Sequence, residues 1–209
     1  MAAANESKGA PVRALVVALT LSVAAFAGWV AKEGDGPTAV RADGQVVHKP
    51  YIPTKGDVPT IGHGSTRYED GRPVRLTDAP ITRARAAELA RNLHREEEER
   101  FKASIPGVSL TQGEFDLYVD FIGQYGIGNW RQSSMRRHLL ATVEAKTPAG
   151  QAFHYRAACD ALLAWRKQGG RDCSLPQSWG PKGCKGVWTR QQERHAKCVA
   201  EQGDGHATP

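Results

Sequence analysis

Ala14–Ala31, "ALVVALTLSVAAFAGWVA", is a run of 18 residues without a charge, close to the start of the chain. As one helix it would reach ~27 Å at ~1.5 Å per residue, slightly short of a ~30 Å hydrocarbon core. Half of it is Ala, Gly, Ser or Thr, so it is long enough to insert but only weakly apolar. Lys8 and Arg13 precede it, which favours a cytoplasmic N-terminus. Four uses compete: a permanent anchor, a cleaved signal peptide, a signal-anchor that later leaves the membrane, and a buried helix of a soluble domain. Ala25-Phe26-Ala27 fits the small-x-small rule for cleavage. Lys32, Glu33 and Gly34 follow the run directly, which puts a carboxylate at its end.

Behind the run, a chain of 209 residues has room for one domain of about 170 residues with a real core. The net charge of +6 suits an anionic partner: nucleic acid, membrane or an acidic polymer such as the bacterial wall. The charges are scattered rather than blocked, which argues against nucleic acid. The acidic run Glu96–Glu99 reads as a solvated helix face. The four cysteines, Cys159, Cys173, Cys184 and Cys198, all lie in the last third. An even count in an exported chain points to disulfides; no C-x-x-C supports zinc, and free thiols are the other alternative.

Turn chemistry divides the chain. Residues 1–12 are small and polar and read as disordered. Asp43-Gly44 between Val40 and Val46-Val47 is a hairpin signal, and Asp70-Gly71 marks a second turn after Thr60–Thr66. Residues 36–76 therefore form a small, Gly-rich β region. The rest reads as five helices. Thr82 caps one that runs to about Ala103, with Leu89 and Leu93 inward. Thr111 and Glu114 form a capping box, followed by the stripe Phe115, Tyr118, Val119 and Ile122. Gly123, Gly126 and Gly128 break that helix. Ser134 caps a short helix through Leu140. Thr147-Pro148 starts another, with Phe153, Ala157, Ala161, Ala164 and Trp165 on one face and Gly169-Gly170 at its end. Thr189 and Gln192 form a capping box for the last helix, to about Gln202. This is an α+β chain with segregated layers. Cys159 then falls on the Thr147–Gln168 helix and Cys198 on the last one, while Cys173 and Cys184 flank a Gly/Pro-rich loop. The placement predicts a nested pairing, Cys159–Cys198 and Cys173–Cys184.

Two features carry chemistry. Glu33, a carboxyl at the end of an apolar helix, has the setting that keeps an acid protonated near neutral pH. Thr60-Ile61-Gly62-His63-Gly64 places a hydroxyl, an imidazole and two glycines in one turn, and glycines let a backbone approach a ligand closely. Breaking a glycosidic bond needs a proton for the leaving oxygen and support for an oxocarbenium-like transition state. His48, His138, His154 and His195 show no ligand spacing and read as surface or satisfied histidines.

Glu33-Gly34, with Tyr51, Gly56 and Thr60-Ile61-Gly62-His63-Gly64-Ser65-Thr66, resembles the phage lysozyme (muramidase) family of the T-even type. The stretch from Leu110 to Phe121 resembles that family's central helix. Gly186–Glu193 resembles its C-terminal Gly-[Leu/Val]-x-x-Arg-Arg-x-x-Glu stretch, with Gln191 in place of the second Arg. The likeness covers roughly residues 28–202. It implies a lysozyme-like α+β fold: a β-hairpin region, a mainly helical lobe and, ahead of them, an apolar helix. It also implies a catalytic triad of Glu, Asp and Thr. Glu33 and Thr60 match. The family's Asp stands two residues after the Tyr and six before the Thr, where this chain has Pro53 and Thr54. Asp57, three before Thr60, is the nearest acid, either a substitute for it or a turn residue. His63, inside the loop, is a candidate to bind substrate or to hold the turn. Phe121, Gln124 and Trp130 fall where the family lines its cleft; Gln124 is a candidate to bind sugar, and Trp130 reads as core.

The apolar start resembles the signal-arrest-release branch of these endolysins. The resulting division is a tail over 1–12, a signal-anchor helix over 13–31 and a catalytic domain over 32–204. The expected enzyme is a monomeric phage endolysin without cofactor or metal. It would cleave the β-1,4 bond between N-acetylmuramic acid and N-acetylglucosamine in peptidoglycan. It would reach the host periplasm tethered to the inner membrane through residues 14–31, and then be released. A lytic transglycosylase using Glu33 alone and a non-catalytic wall-binding protein are the alternatives.

Overall fold

The structure, a computed structural model, describes residues 12–203. The tail expected over residues 1–12 lies outside the described residues but for the exposed Val12, as does residue 204. In chain order the elements are β1 (Ala14–Leu15), a 3-10 turn (Val16–Ala18), α1 (Val23–Glu33), β2 (Thr38–Val40), β3 (Val46–His48), β4 (Ile81–Thr82) and α2 (Arg83–Ser104). There follow β5 (Ser109–Leu110), α3 (Gln112–Gln132), α4 (Ser134–Glu144), α5 (Pro148–Asp160), β6 (Lys167–Gln168), β7 (Arg171–Asp172) and α6 (Lys185–Ala200). The chain packs as two compact units, one of residues 21–100 and the other of the residues before 21 and after 100.

The apolar run does not form the single helix expected over Ala14–Ala31. It is shared among β1, the 3-10 turn and the 11-residue α1. Ser22 supplies the break: its hydroxyl accepts the Ala25 N–H at 3.1 Å and starts a new helix there. Among the described residues no helix is long and apolar enough to cross a membrane.

In the 21–100 unit, α1 rests on α2 through Trp29 and Phe26, whose rings meet His94 at 4.3 and 5.9 Å. Leu21 is buried, and its N–H donates to Glu98 Oε2 at 3.1 Å. Glu98 is thus inside, not on a solvated face as the acidic run suggested. β2, β3 and β4 form an antiparallel sheet in that order, with Val40 opposite Val46 and Val47 opposite Thr82. The Asp43-Gly44 turn closes the first hairpin, and Arg67 bridges Pro73 around Asp70-Gly71. Ile61, Val74 and Leu89 form a core cluster, with Tyr68, Ile81 and Leu93 against it. Thr82 caps α2 as the sequence indicates, accepting the Arg85 N–H at 3.2 Å.

The other unit is helical and aromatic. Phe101, Phe115, Tyr118, Phe121 and Trp130 are fully buried, and Trp130 Nε1 donates to Ser104 Oγ at 2.8 Å. The Thr111–Glu114 capping box is complete, and Arg13 forks onto the same Glu114 at 2.9 and 3.0 Å. Both nested disulfides are present, with Cα separations of 5.5 Å for Cys159–Cys198 and 5.2 Å for Cys173–Cys184.

The glycines break α3 as expected: Gly126 leaves helical geometry at φ 80° and ψ 154°, and the helix resumes beyond the kink. Three helix boundaries differ from expectation. Ser133, not Ser134, caps α4, through its hydroxyl and the Arg136 N–H. Gly169-Gly170 turns the β6–β7 hairpin, because α5 has already run out through a 3-10 turn at Ala161–Ala164; Phe153 is exposed. The last helix starts at Lys185, not after Thr189. There Cys184 is held by its disulfide and by its N–H to the Ser178 carbonyl at 2.8 Å, so the chain is already turned for a helix.

Candidate functional site

Glu33 is the last residue of α1, and its N-terminal neighbours put it at the helix end. The following Gly34 leaves helical geometry at φ 71° while its N–H still bonds the Val30 carbonyl. The side chain then meets the glycine-rich loop. A Cβ placed on Gly64 would stand 3.1 Å from Glu33 Oε2. Gly64 also sits at φ +81°, where a side chain is strained. Gly62, at φ +61°, lies against α2: a Cβ there would be 2.8 Å from the Ala86 methyl group. The two glycines therefore have separate roles. One seats the loop on α2, and the other leaves room for the Glu33 carboxylate.

Thr60 opens the loop. Its backbone exchanges two hydrogen bonds with Tyr51, at 2.7 and 2.8 Å, and its buried hydroxyl donates to the Val58 carbonyl at 3.1 Å. Ile61 and Ser65 pair across the turn, at 2.9 and 3.1 Å, so the whole loop is backbone-bonded at its base. Asp57 lies in the exposed turn Thr54–Asp57, closed by its own N–H to the Thr54 carbonyl at 2.9 Å.

His63 is turned inward. Its side chain is 3% exposed, and Nδ1–H donates to the Gly34 carbonyl at 3.1 Å, with Asp35 Oδ1 at 3.7 Å. That contact holds the turn against the residue next to Glu33. His48, read from the sequence as a surface or satisfied histidine, is fully buried beside it, ring to ring at 5.2 Å. Its Nδ1–H donates to the Asp35 carbonyl at 2.6 Å, while its buried Nε2 has no hydrogen-bond partner. An unsatisfied buried polar atom costs roughly 1–3 kcal/mol. Asp35 also pairs with Arg83. Further along the unit, Arg85 forks onto Glu69 at 2.7 Å and holds that carboxyl down to about 2.

A family profile described as Phage lysozyme matches residues 43–177, well over half of the sequence. The chain belongs to the phage lysozyme family. It is 30% identical over 121 residues to the endolysin of Salmonella phage P22, covering 58% of this chain and 73% of that one. A crystal structure of a P22 lysozyme mutant aligns with a TM-score of 0.59 at 23% identity, covering 87% of this chain and 99% of that one. The muramidase domain of SpmX from Asticaccaulis excentricus aligns with a TM-score of 0.52 at 18% identity, covering 86% and 97%. The fold is lysozyme-like, and the enzyme class is that of a lysozyme-type hydrolase.

The remaining residues that the family resemblance marks for sugar belong to the helical unit. Phe121 is fully buried, with its ring 4.7 Å from Tyr125 and 5.0 Å from Trp165. Gln124 is exposed but accepts from Arg194 Nη1 at 2.7 Å. Gln191, the residue that departs from the family's Arg, is buried and donates to the Tyr125 hydroxyl at 2.6 Å. His138 and His154 face each other at 3.3 Å, and His195 pairs with Asp160 at 2.8 Å. The sequence reading missed the group around Asp35. Asp35, His48 and His63 are spaced 13 and 15 residues apart, which follows no ligand motif, and only the sheet and the loop bring them together.

Proposed function

We propose that this phage lysozyme hydrolyses the β-1,4 bond between N-acetylmuramic acid and N-acetylglucosamine in peptidoglycan. Glu33 is the general acid, Thr60 orients water, and Asp57 serves as base or charge stabiliser in place of the aspartate that this chain lacks. The observation that carries the reading is the meeting of Glu33 with Gly64. A carboxyl and the Thr60–Gly64 loop, 31 residues apart, come together with just enough room for the acid. The exposure of Glu33 at the helix end leaves it open to a substrate.

Glu33→Gln should lower the rate on purified peptidoglycan by roughly 10²–10⁴-fold, the usual worth of a general acid. Its unfolding midpoint should stay that of the parent. Products should carry a reducing muramic end; a 1,6-anhydro end would replace hydrolysis by transglycosylation. Asp57→Asn should also cut hydrolysis. Full activity in that variant would send the search for the second acid elsewhere.

The same reading includes export, with Ala14–Ala31 first in the inner membrane and later free of it. Burial in the folded protein supports this order. Val16 and Leu21 are buried, and Val16 N–H bonds the Val108 carbonyl at 2.9 Å. A run held in lipid cannot make those contacts, so the tethered chain lacks parts of both units. Fractionation before and after collapse of the membrane potential tests it: intact protein should move to the soluble fraction. A soluble form that begins near Gly28 from the outset would mean a cleaved signal peptide instead.

A further inference from the structure

Asp35, His48 and His63 each turn one donor atom, two ring nitrogens and a carboxylate oxygen, to within 4.8 Å of the other two. We propose that they form a binding site for a divalent transition-metal ion of the zinc class. The site lies within the 21–100 unit, beside the segment that carries Glu33. It is independent of the assignment of Glu33 as acid.

Three observations support it. First, the imidazoles are held in one tautomer. Each gives its Nδ1–H to a backbone carbonyl, His48 to Asp35 and His63 to Gly34. The lone pair of each ring is then on Nε2. A ring N–H donated to a carbonyl is how ligating histidines are oriented and made more basic. Second, His48 is fully buried and its Nε2 has no partner. Third, the acid is balanced. Asp35 pairs with Arg83 through Oδ2, and Oδ1 stands 3.7 Å from His63 Nδ1, so it must swing to the Nε2 edge to share an ion with that ring. One carboxylate oxygen is thus left for a metal while the other is neutralised.

Two nitrogens and one carboxylate oxygen suit zinc and its neighbours far better than magnesium or calcium, which take oxygen ligands. Three protein ligands leave a fourth position open. Zinc–ligand distances of ~2.0–2.2 Å put tetrahedral donors ~3.4 Å apart, so the trio draws in by about an ångström on loading. The hydrogen bonds give loading a mechanical consequence. The two carbonyls that orient the rings belong to Gly34 and Asp35, the residues directly after Glu33. An ion here fastens the end of α1 to β3 and to the Thr60–Gly64 loop.

The test is calorimetric titration of tag-free, chelator-stripped full-length protein with Zn²⁺ alone. One equivalent should bind, and a 100-fold excess over Kd should raise the melting midpoint by roughly 5–10 °C. Asp35→Asn, which changes a partly exposed side chain, should weaken Zn²⁺ by at least about tenfold, the lower end of what loss of a supporting group costs. His48→Gln should weaken it further; if that buried change prevents folding, Asp35→Asn alone decides. Co²⁺ in place of Zn²⁺ should give visible absorption bands that Asp35→Asn removes. His154→Ala tests the other close histidine pair and should leave affinity within about twofold. Absence of saturable Zn²⁺ binding, unchanged affinity in Asp35→Asn, or loss of binding in His154→Ala would each overturn the proposal.

Discussion

The 21–100 unit and the helical unit are stabilised in different ways. The helical unit has a fully buried aromatic cluster and both disulfides. The other has a smaller, aliphatic core and no cysteine; both units bury polar groups, His48, His63, Thr60 and Glu98 here and Glu114, Gln191 and Arg194 in the helical one. The unit that carries Glu33, the proposed acid, has the smaller apolar core. On that proposal, substitutions should separate stability from rate.

The largest effect on stability should come from the aromatic cluster. Trp130→Ala removes a fully buried ring and its bond to Ser104, and should cost about 3–5 kcal/mol in denaturant unfolding. A loss below 1 kcal/mol would show that this core is not what holds the helical unit. Next come the bridges. Replacing Cys159 and Cys198 together with Ser should cost about 2–4 kcal/mol, with lytic activity retained at temperatures where the protein stays folded. Equal loss of stability and of rate would remove the separation between the units.

In the other unit a single methyl group should have the reverse signature. Gly64→Ala forces a left-handed residue at a cost of about 1–2 kcal/mol and puts a carbon 3.1 Å from Glu33 Oε2. If Glu33 is the acid, as proposed, displacing it should lower the rate by at least about tenfold, more than the change in folding explains. Steady-state rates measured well below the melting midpoint would distinguish the two. The smallest effect is electrostatic. Arg85 holds the Glu69 carboxyl at about 2, below its ordinary 4.5, so the pair stabilises the folded form above pH 4.5. That contribution falls as the pH drops from 4.5 towards 2. The pair is partly exposed, and screening keeps it under about 1 kcal/mol. Glu69→Gln should flatten the acid limb of a stability–pH profile in that window and leave neutral stability within about 1 kcal/mol of the parent. An unchanged limb would assign acid sensitivity elsewhere.

Much of this was legible in the residues. The caps at Thr82 and Thr111, the stripe from Phe115 to Ile122, the two turns and the nested cysteines depend on neighbours within a few residues or on one face of one helix. Such local energies appear in the sequence whatever the fold. Where the reading failed, something distant intervened. The apolar run looked like one helix because nothing inside it is charged, but its residues have partners near positions 98 and 108 that divide it. Glu98 looked solvated because it sits among charges, yet it accepts a backbone N–H from Leu21. The start of α6 depends on a disulfide eleven residues long.

By itself, then, the sequence determined the α+β class, the family and the cysteine pairing, and it pointed to Glu33 and the glycine-rich loop as the proposed site. Periodicity, capping and turn preferences are short-range and show in the residues whatever the fold. Only tertiary structure decided that Gly64 faces the Glu33 carboxylate, that His48 is inside and that Asp35, His48 and His63 meet. Those three come from the end of a helix, a strand and a loop, and no local energy links them. His48 is placed by its register opposite Thr38 and His63 by the loop, and from there the two rings reach the Asp35 and Gly34 carbonyls.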